Sequence, residues 1–179
     1  MIDRRVLSQL FKQILYIGLG LMIIFFRLAP VETTPPKWVG PEFMMAITFL
    51  FAIRRPYYVP SISVALIFLF SDLMLQRPPG LMSLLMVIAC EKLRSRSQYL
   101  RMARFGVEWL AISLAVLFQM LGYHLALILT VSPPPPFGLS MMQTGATILL
   151  YPILAQVASM VFGIHKSPSN DIMIKSGLQ

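Results

Sequence analysis

Long apolar runs, each closed by prolines or by basic residues, set the rhythm of this chain. The apolar positions are continuous rather than alternating, which predicts helices with apolar surroundings, not half-buried strands. The first helix is predicted over residues 13–29 and is broken by the Pro/Thr-rich stretch Pro30 to Pro36. The second, over 41–54, opens on Pro41, a residue suited to a first helical turn, and closes on Arg54-Arg55. The third and fourth are predicted over 60–75 and 79–93. From Trp109 to His165 there is no Asp, Glu, Lys or Arg. That stretch is too long for one span and right for two, and Pro133 to Pro136 with Gly138 supplies the break. The fifth and sixth helices are therefore predicted over 105–131 and 139–164.

Composition turns this pattern into a membrane reading. Of 179 residues, 57% are hydrophobic and only 12% are charged, and the mean hydropathy is +0.74. Lipid cannot hydrogen-bond a backbone, so apolar spans of this kind are helices. The fold class predicted is an all-α membrane protein: about six transmembrane helices forming one integral membrane domain over residues 1–179. Helix 2 strains this reading, because the eleven residues Phe43 to Ile53 rise only about 16 Å against a hydrocarbon core of about 30 Å.

Charge placement argues that it spans nonetheless. A net charge of +8 would suggest nucleic acid in a soluble protein; here the charges sit in clusters between apolar runs, as topology signals do. With six spans and an inside N-terminus, twelve of the Lys and Arg residues fall on the cytoplasmic side, and only Arg27, Lys37 and Arg77 fall outside. The expected location is the bacterial inner membrane, with both termini cytoplasmic. The first apolar run is followed by Arg27 instead of a small-residue cleavage site, so it is expected to be a retained helix. Cys90 is the single cysteine, which excludes intrachain disulfides and thiolate metal sites.

Asp72 is the acid that lies inside an apolar helix, about one turn from its end. Intramembrane acids mark functional sites by default because ionised groups are costly there. The structural alternative is a carboxylate that braces the tight hairpin Gln76 to Pro79 by accepting N–H bonds from the start of helix 4, or one that pairs with Arg27 at a similar depth. The loop Glu91 to Arg104 carries Lys92, Arg94, Arg96, Arg101 and Arg104. Such a cluster attracts anionic lipid, at about 1 kcal/mol per basic residue near the surface, or meets a cytoplasmic protein. With Tyr99 as its one aromatic residue, it does not read as a nucleic-acid surface.

Glu108 and His124 invite an acid–base reading, but sixteen residues at about 100° each set them roughly 160° apart on one helix. No pair of ionisable groups is expected to converge, and neither an enzyme nor a cofactor is implied. Ala155, Ser159 and Gly163 recur at four-residue spacing, a small-residue face suited to close helix packing in lipid. Gln119, Gln143 and Gln156 offer interhelical hydrogen bonds, and Pro152 is expected to kink helix 6. The thirteen methionines read as apolar filler.

From helix 2 onward the chain resembles the MreD family of bacterial rod-shape-determining membrane proteins. The likeness lies in the Pro-led helix at Pro41, the break Arg54-Arg55-Pro56 and the Asp72-Leu73 pair ending helix 3. It continues in Gly80 eight residues after Asp72, in Pro152 within the last span and in a short basic tail. Where the family carries a Ser-Gly step after the Asp, this chain has Leu75-Gln76 followed by Pro78-Pro79. The resemblance implies a non-catalytic scaffold of the wall-elongation machinery. Its implied partners are an MreC-like bitopic protein, a RodA-like glycosyltransferase with its transpeptidase, and the MreB cytoskeleton. The competing reading is a small-molecule binding or transport subunit similar to the substrate-binding components of vitamin transporters. That reading needs a polar cavity, with Asp72, Gln119, Gln143 and Gln156 as lining and Trp109 and Tyr151 as walls.

Overall fold

Helix α2, Phe43–Arg54, is apolar around its whole circumference, and a helix of that kind belongs in the middle of a bundle. In the computed structural model, which describes residues 4–28, 40–130 and 134–162, ten of its twelve residues are buried. Around it lie α1 (Arg4–Leu28), a 3₁₀ turn (Pro56–Tyr58), α3 (Ser61–Met74), α4 (Leu81–Ser95), α5 (Ser97–Met102), α6 (Phe105–Leu129) and α7 (Phe137–Phe162). Every regular element among the described residues is helical. α2 touches α1, α4, α5, α7 and the 3₁₀ turn, so its shortness goes with its place at the hub.

Three helices, α1, α6 and α7, have an apolar stretch long enough to cross a membrane, while α2 and α3 are shorter apolar helices. α4 carries Lys92 and Arg94 in its last turn. Most helix boundaries fall within two residues of the sequence reading. α1 differs, beginning at Arg4 and not near residue 13, and the expected loop from Glu91 to Arg104 contains the end of α4 and the short α5. The outward faces of the long helices are apolar: Phe25 is 75% exposed, Leu149 71% and Met160 82%. Such an exterior suits a hydrocarbon surrounding, where lipid covers what water would reject.

Close approaches hold the helices together. A Cβ added at Gly20 of α1 would lie 3.1 Å from Ile67 of α3, and one at Gly122 of α6 would lie 3.1 Å from Leu85 of α4. Small residues admit this contact where packing, not water exclusion, drives association. Thr48 donates to the Met44 carbonyl at 2.7 Å, so its contact with Tyr16 Oη at 3.0 Å has Tyr16 as donor, tying α1 to the hub.

The α3–α4 hairpin closes by a Schellman motif, in which the last carbonyls of a helix are satisfied across a left-handed residue. Gln76 takes φ +54°. The Arg77 amide bonds the Asp72 carbonyl at 3.0 Å and the Gln76 amide bonds that of Leu73 at 3.4 Å.

Pro152 lies inside an unbroken α7. A proline has no N–H for the carbonyl four residues back, here that of Ile148. The indole Nε1 of Trp109 on α6 donates to that carbonyl at 3.1 Å. The gap in α7's ladder thereby becomes an α6–α7 link. This predicts non-additivity: Trp109→Phe destabilises the protein by about 1 kcal/mol, and by clearly less in a Pro152→Ala background, where the restored amide bonds Ile148 itself. Equilibrium unfolding of the two single variants and the double variant measures the coupling; equal losses in both backgrounds would mean the indole bond carries no weight.

Candidate functional site

The bundle has two polar ends. At the hairpin end, the Asp72 side chain is fully buried, and its Oδ2 accepts the amides of Gly80 at 3.1 Å and Ser83 at 3.4 Å. Both amides belong to the start of α4, where a helix leaves its first N–H groups without intrahelical partners and presents partial positive charge. Gly80 caps α4 with φ +85°, a left-handed conformation that glycine adopts without a Cβ clash. Ser83 Oγ then donates to the Ala65 carbonyl at 2.9 Å, locking α4 to α3. Leu73, the other member of the Asp-Leu pair, is exposed.

Arg27 does not reach Asp72. Its guanidinium bonds Glu42 at 2.8 Å, and Arg77 lies 3.6 Å from the same carboxylate. Glu42 sits immediately before α2, at the level where α1 ends, and so offers a partly hydrated partner, whereas Asp72 is enclosed between α3 and α4. Thr147 of α7 accepts the Glu42 amide at 3.0 Å, fixing the start of α2 against α7.

At the other end the expectation that no ionisable groups converge is overturned. Arg54, the last residue of α2, donates from Nε to Glu108 Oε1 at 2.8 Å and from a terminal nitrogen to the Ala155 carbonyl at 3.2 Å. Tyr151 Oη donates to the same Glu108 oxygen at 2.6 Å. The side chains of Arg54 and Glu108 are 7% and 0% exposed. The sequence reading weighed Glu108 only against other acids and histidines and counted Arg54, at the end of helix 2, among the cytoplasmic-side cations. The first turn of α6 favours a carboxylate, and the hub position of α2 draws its terminal arginine inward. Phe105 stacks on Tyr151 with centroids 6.3 Å apart.

Of the small-residue stripe on α7, Ala155 meets this same cluster. Ala155 is buried, but the buried face continues through Ala158, while Ser159 is half-buried and bonds the Gln156 carbonyl. The inward face therefore shifts from strict four-residue spacing; Gly163 lies outside the described residues. In the basic loop, Arg94 bonds the Val59 carbonyl, Ser61 and Glu91, and Arg101 is half-buried against the Ser97 carbonyl. Lys92, Arg96 and Arg104 remain exposed, beside Tyr99 at 70%.

A cavity of about 830 Å³ opens at the hairpin end among α2, α4, α6 and α7. Gln119 and Gln143 line it, together with Arg27, Glu42, Arg77 and His124. The other residues proposed for a polar pocket do not: Asp72 is held by α4, Gln156 is exposed, Trp109 is engaged by Ile148, and Tyr151 is buried against Glu108. The signal for the rim was present in the sequence, since Arg27 and Arg77 are two of the three cations assigned to the same side. Among the described residues no cluster of three His, Cys, Asp or Glu side chains forms a metal-binding group.

The Asp72 geometry predicts an order of stabilities. Asp72→Leu removes both bonds to α4 and costs about 2 kcal/mol; Asp72→Asn keeps one acceptor oxygen and costs less than half of that. Denaturant titration in mild detergent reads both, and equal tolerance of the two changes would remove the bracing role.

Comparison with known proteins adds no identity to this geometry: no protein-family model matches the chain, and neither a curated protein nor a solved structure does.

Proposed function

We propose that this chain is a non-catalytic membrane scaffold of the bacterial wall-elongation machinery, as its resemblance to MreD implies. The observation that carries the reading is the α3–α4 hairpin. Asp72 and Gly80, two of the residues on which the resemblance rests, bond one another at 3.1 Å. Gln76, standing at the glycine of the family's Ser-Gly step, takes the positive φ that a glycine adopts most readily. The deeply buried charged groups also support it, because Asp72, Arg54 and Glu108 are each engaged in holding helices to one another.

In this reading the chain crosses the inner membrane six times with both termini inside. It holds an MreC-like bitopic partner and a RodA-like synthase with its transpeptidase, and it meets MreB directly or through the bitopic protein. Lys92, Arg96 and Arg104 give its cytoplasmic face a handle for anionic lipid. The cavity lined by Gln119 and Gln143 favours a second reading, a small-molecule binding subunit.

Depletion separates the two. A scaffold's loss turns rod-shaped cells round while division septa still form, and mild-detergent purification recovers a bitopic partner. Cells that stay rod-shaped but lose uptake of a nutrient would shift the assignment to the binding subunit. Topology is tested in a Cys90→Ser background. Tyr99→Cys, in the basic loop, should resist an impermeant thiol reagent added outside, and Pro136→Cys, beyond α6, should react. Labelling of both would end the six-span arrangement.

A further inference from the structure

The cavity at the hairpin end is built unlike a packing defect. It runs along α6 from Leu127 down to Val116, about 16 Å at the rise of an α-helix. Its volume of about 830 Å³ lies in the range of small-molecule sites, about 300–1,000 Å³. Methionines 45, 82 and 120 line its walls, and flexible thioether chains adapt to varied apolar shapes.

Its polar groups are arranged by charge. Among the described residues lining it, Arg27 and Arg77 at the rim share the carboxylate of Glu42, and the Asp72 carboxylate that also acts on Arg77 is held behind the wall by α4. Arg77 also sits 6.0 Å from the ring centroid of Tyr123, which steadies it over the mouth.

Two residues of the wall, Gln119 and His124, hold buried acceptors instead. Gln119 is 1% exposed, and its Nε2 faces two acceptors of Met82, Sδ at 3.0 Å and the carbonyl at 3.5 Å. That fixes the amide orientation, leaving Oε1 buried with no partner among the described residues. His124 Nδ1 lies 3.1 Å from the Met120 carbonyl, and because a carbonyl only accepts, Nδ1 carries the hydrogen. In the neutral imidazole Nε2 is then an acceptor, and it too is buried without a partner among the described residues. Buried acceptors left unmatched are costly, and both belong to residues lining this one cavity.

We propose that the cavity binds an amphipathic anion whose phosphate or carboxylate meets the Arg27–Arg77 rim and whose hydroxyl or amide N–H groups donate to Gln119 and His124. A phospholipid headgroup with free hydroxyls and a soluble organic phosphate share this chemistry. The inference stands on the cavity alone and is compatible with a scaffold as well as with a binding subunit, so its test reads binding and not uptake.

Native mass spectrometry of the full chain in neutral detergent, with phosphatidylglycerol or phosphatidylcholine added, provides that test. Both lipids carry a phosphate, but only phosphatidylglycerol carries headgroup hydroxyls. The wild type should retain one phosphatidylglycerol in preference to phosphatidylcholine. Gln119→Leu, an apolar replacement in an apolar wall, should weaken that molecule about ten-fold, the effect of one lost hydrogen bond to a buried acceptor. Arg77→Gln, at the half-exposed rim, supplies a second variant with the same direction. Arg96→Ala with Arg104→Ala, at the opposite end, should leave the molecule bound and so separates it from lipid on the basic loop. Displacement by glycerol 3-phosphate would assign the site to a soluble ligand, and retention in its presence would assign it to membrane lipid. Lack of headgroup preference in the wild type, the same preference in folded Gln119→Leu, or undiminished phosphatidylglycerol retention in folded Arg77→Gln, would overturn the proposal.

Discussion

A short helix enclosed on every side cannot end in an unpaired arginine. That constraint governs one end of this bundle. α2 is surrounded by α1, α4, α5, α7 and the 3₁₀ turn, and its last side chain, Arg54, is 7% exposed. Removing a guanidinium from water carries a penalty of several kcal/mol unless a counter-charge and further hydrogen bonds compensate. Glu108 supplies the counter-charge and Ala155 accepts a second N–H, while Tyr151 donates to the same carboxylate. One charged group thus fixes α2, α6 and α7 relative to one another, with directionality that apolar side chains alone lack.

The hairpin end solves a different problem with a similar device. There the unmatched groups are the first amides of α4, and Asp72 supplies the acceptor. Between the two ends the helices approach through Gly20 and Gly122 and through the bond between Tyr16 and Thr48. The two ends also differ in hydration. The Arg27–Glu42–Arg77 cluster is partly exposed and borders the cavity, whereas the Arg54–Glu108 pair is sealed. The cavity opens at the hydrated hairpin end and stops short of the sealed pair.

Much of this was legible in the sequence where the determinants are local. α2, α3 and α6 end close to the expected positions because prolines and basic residues bound their apolar runs. The bracing by Asp72 was legible because the tight hairpin Gln76 to Pro79 brings the start of the next helix back to it, while Gly80 was singled out only through the family resemblance. The Arg54–Glu108 bond was not, since its partners are 54 residues apart and meet only after α2 has been enclosed. Arg54 was counted with Arg55 among the topology cations because it closes the apolar run, and that count did not anticipate its burial against Glu108. The cavity was half legible: Gln119 and Gln143 were named from their polarity, but the rim assembles from the ends of α1, α2 and the hairpin, whose alignment no single segment encodes. The role of Trp109 was hidden too, because the carbonyl it serves is exposed by a proline on another helix.

A double-mutant cycle across the buried pair tests most directly whether this charge pairing holds the bundle. Arg54→Met alone strands a buried carboxylate and should cost about 3–5 kcal/mol in equilibrium unfolding. Adding Glu108→Gln removes the stranded charge while keeping an acceptor for Tyr151, and should recover more than half of that loss, although Glu108→Gln is itself destabilising in the wild type. Strong coupling of this sign is the predicted result. Losses that simply add, so that Glu108→Gln lowers stability equally with and without Arg54, would contradict it.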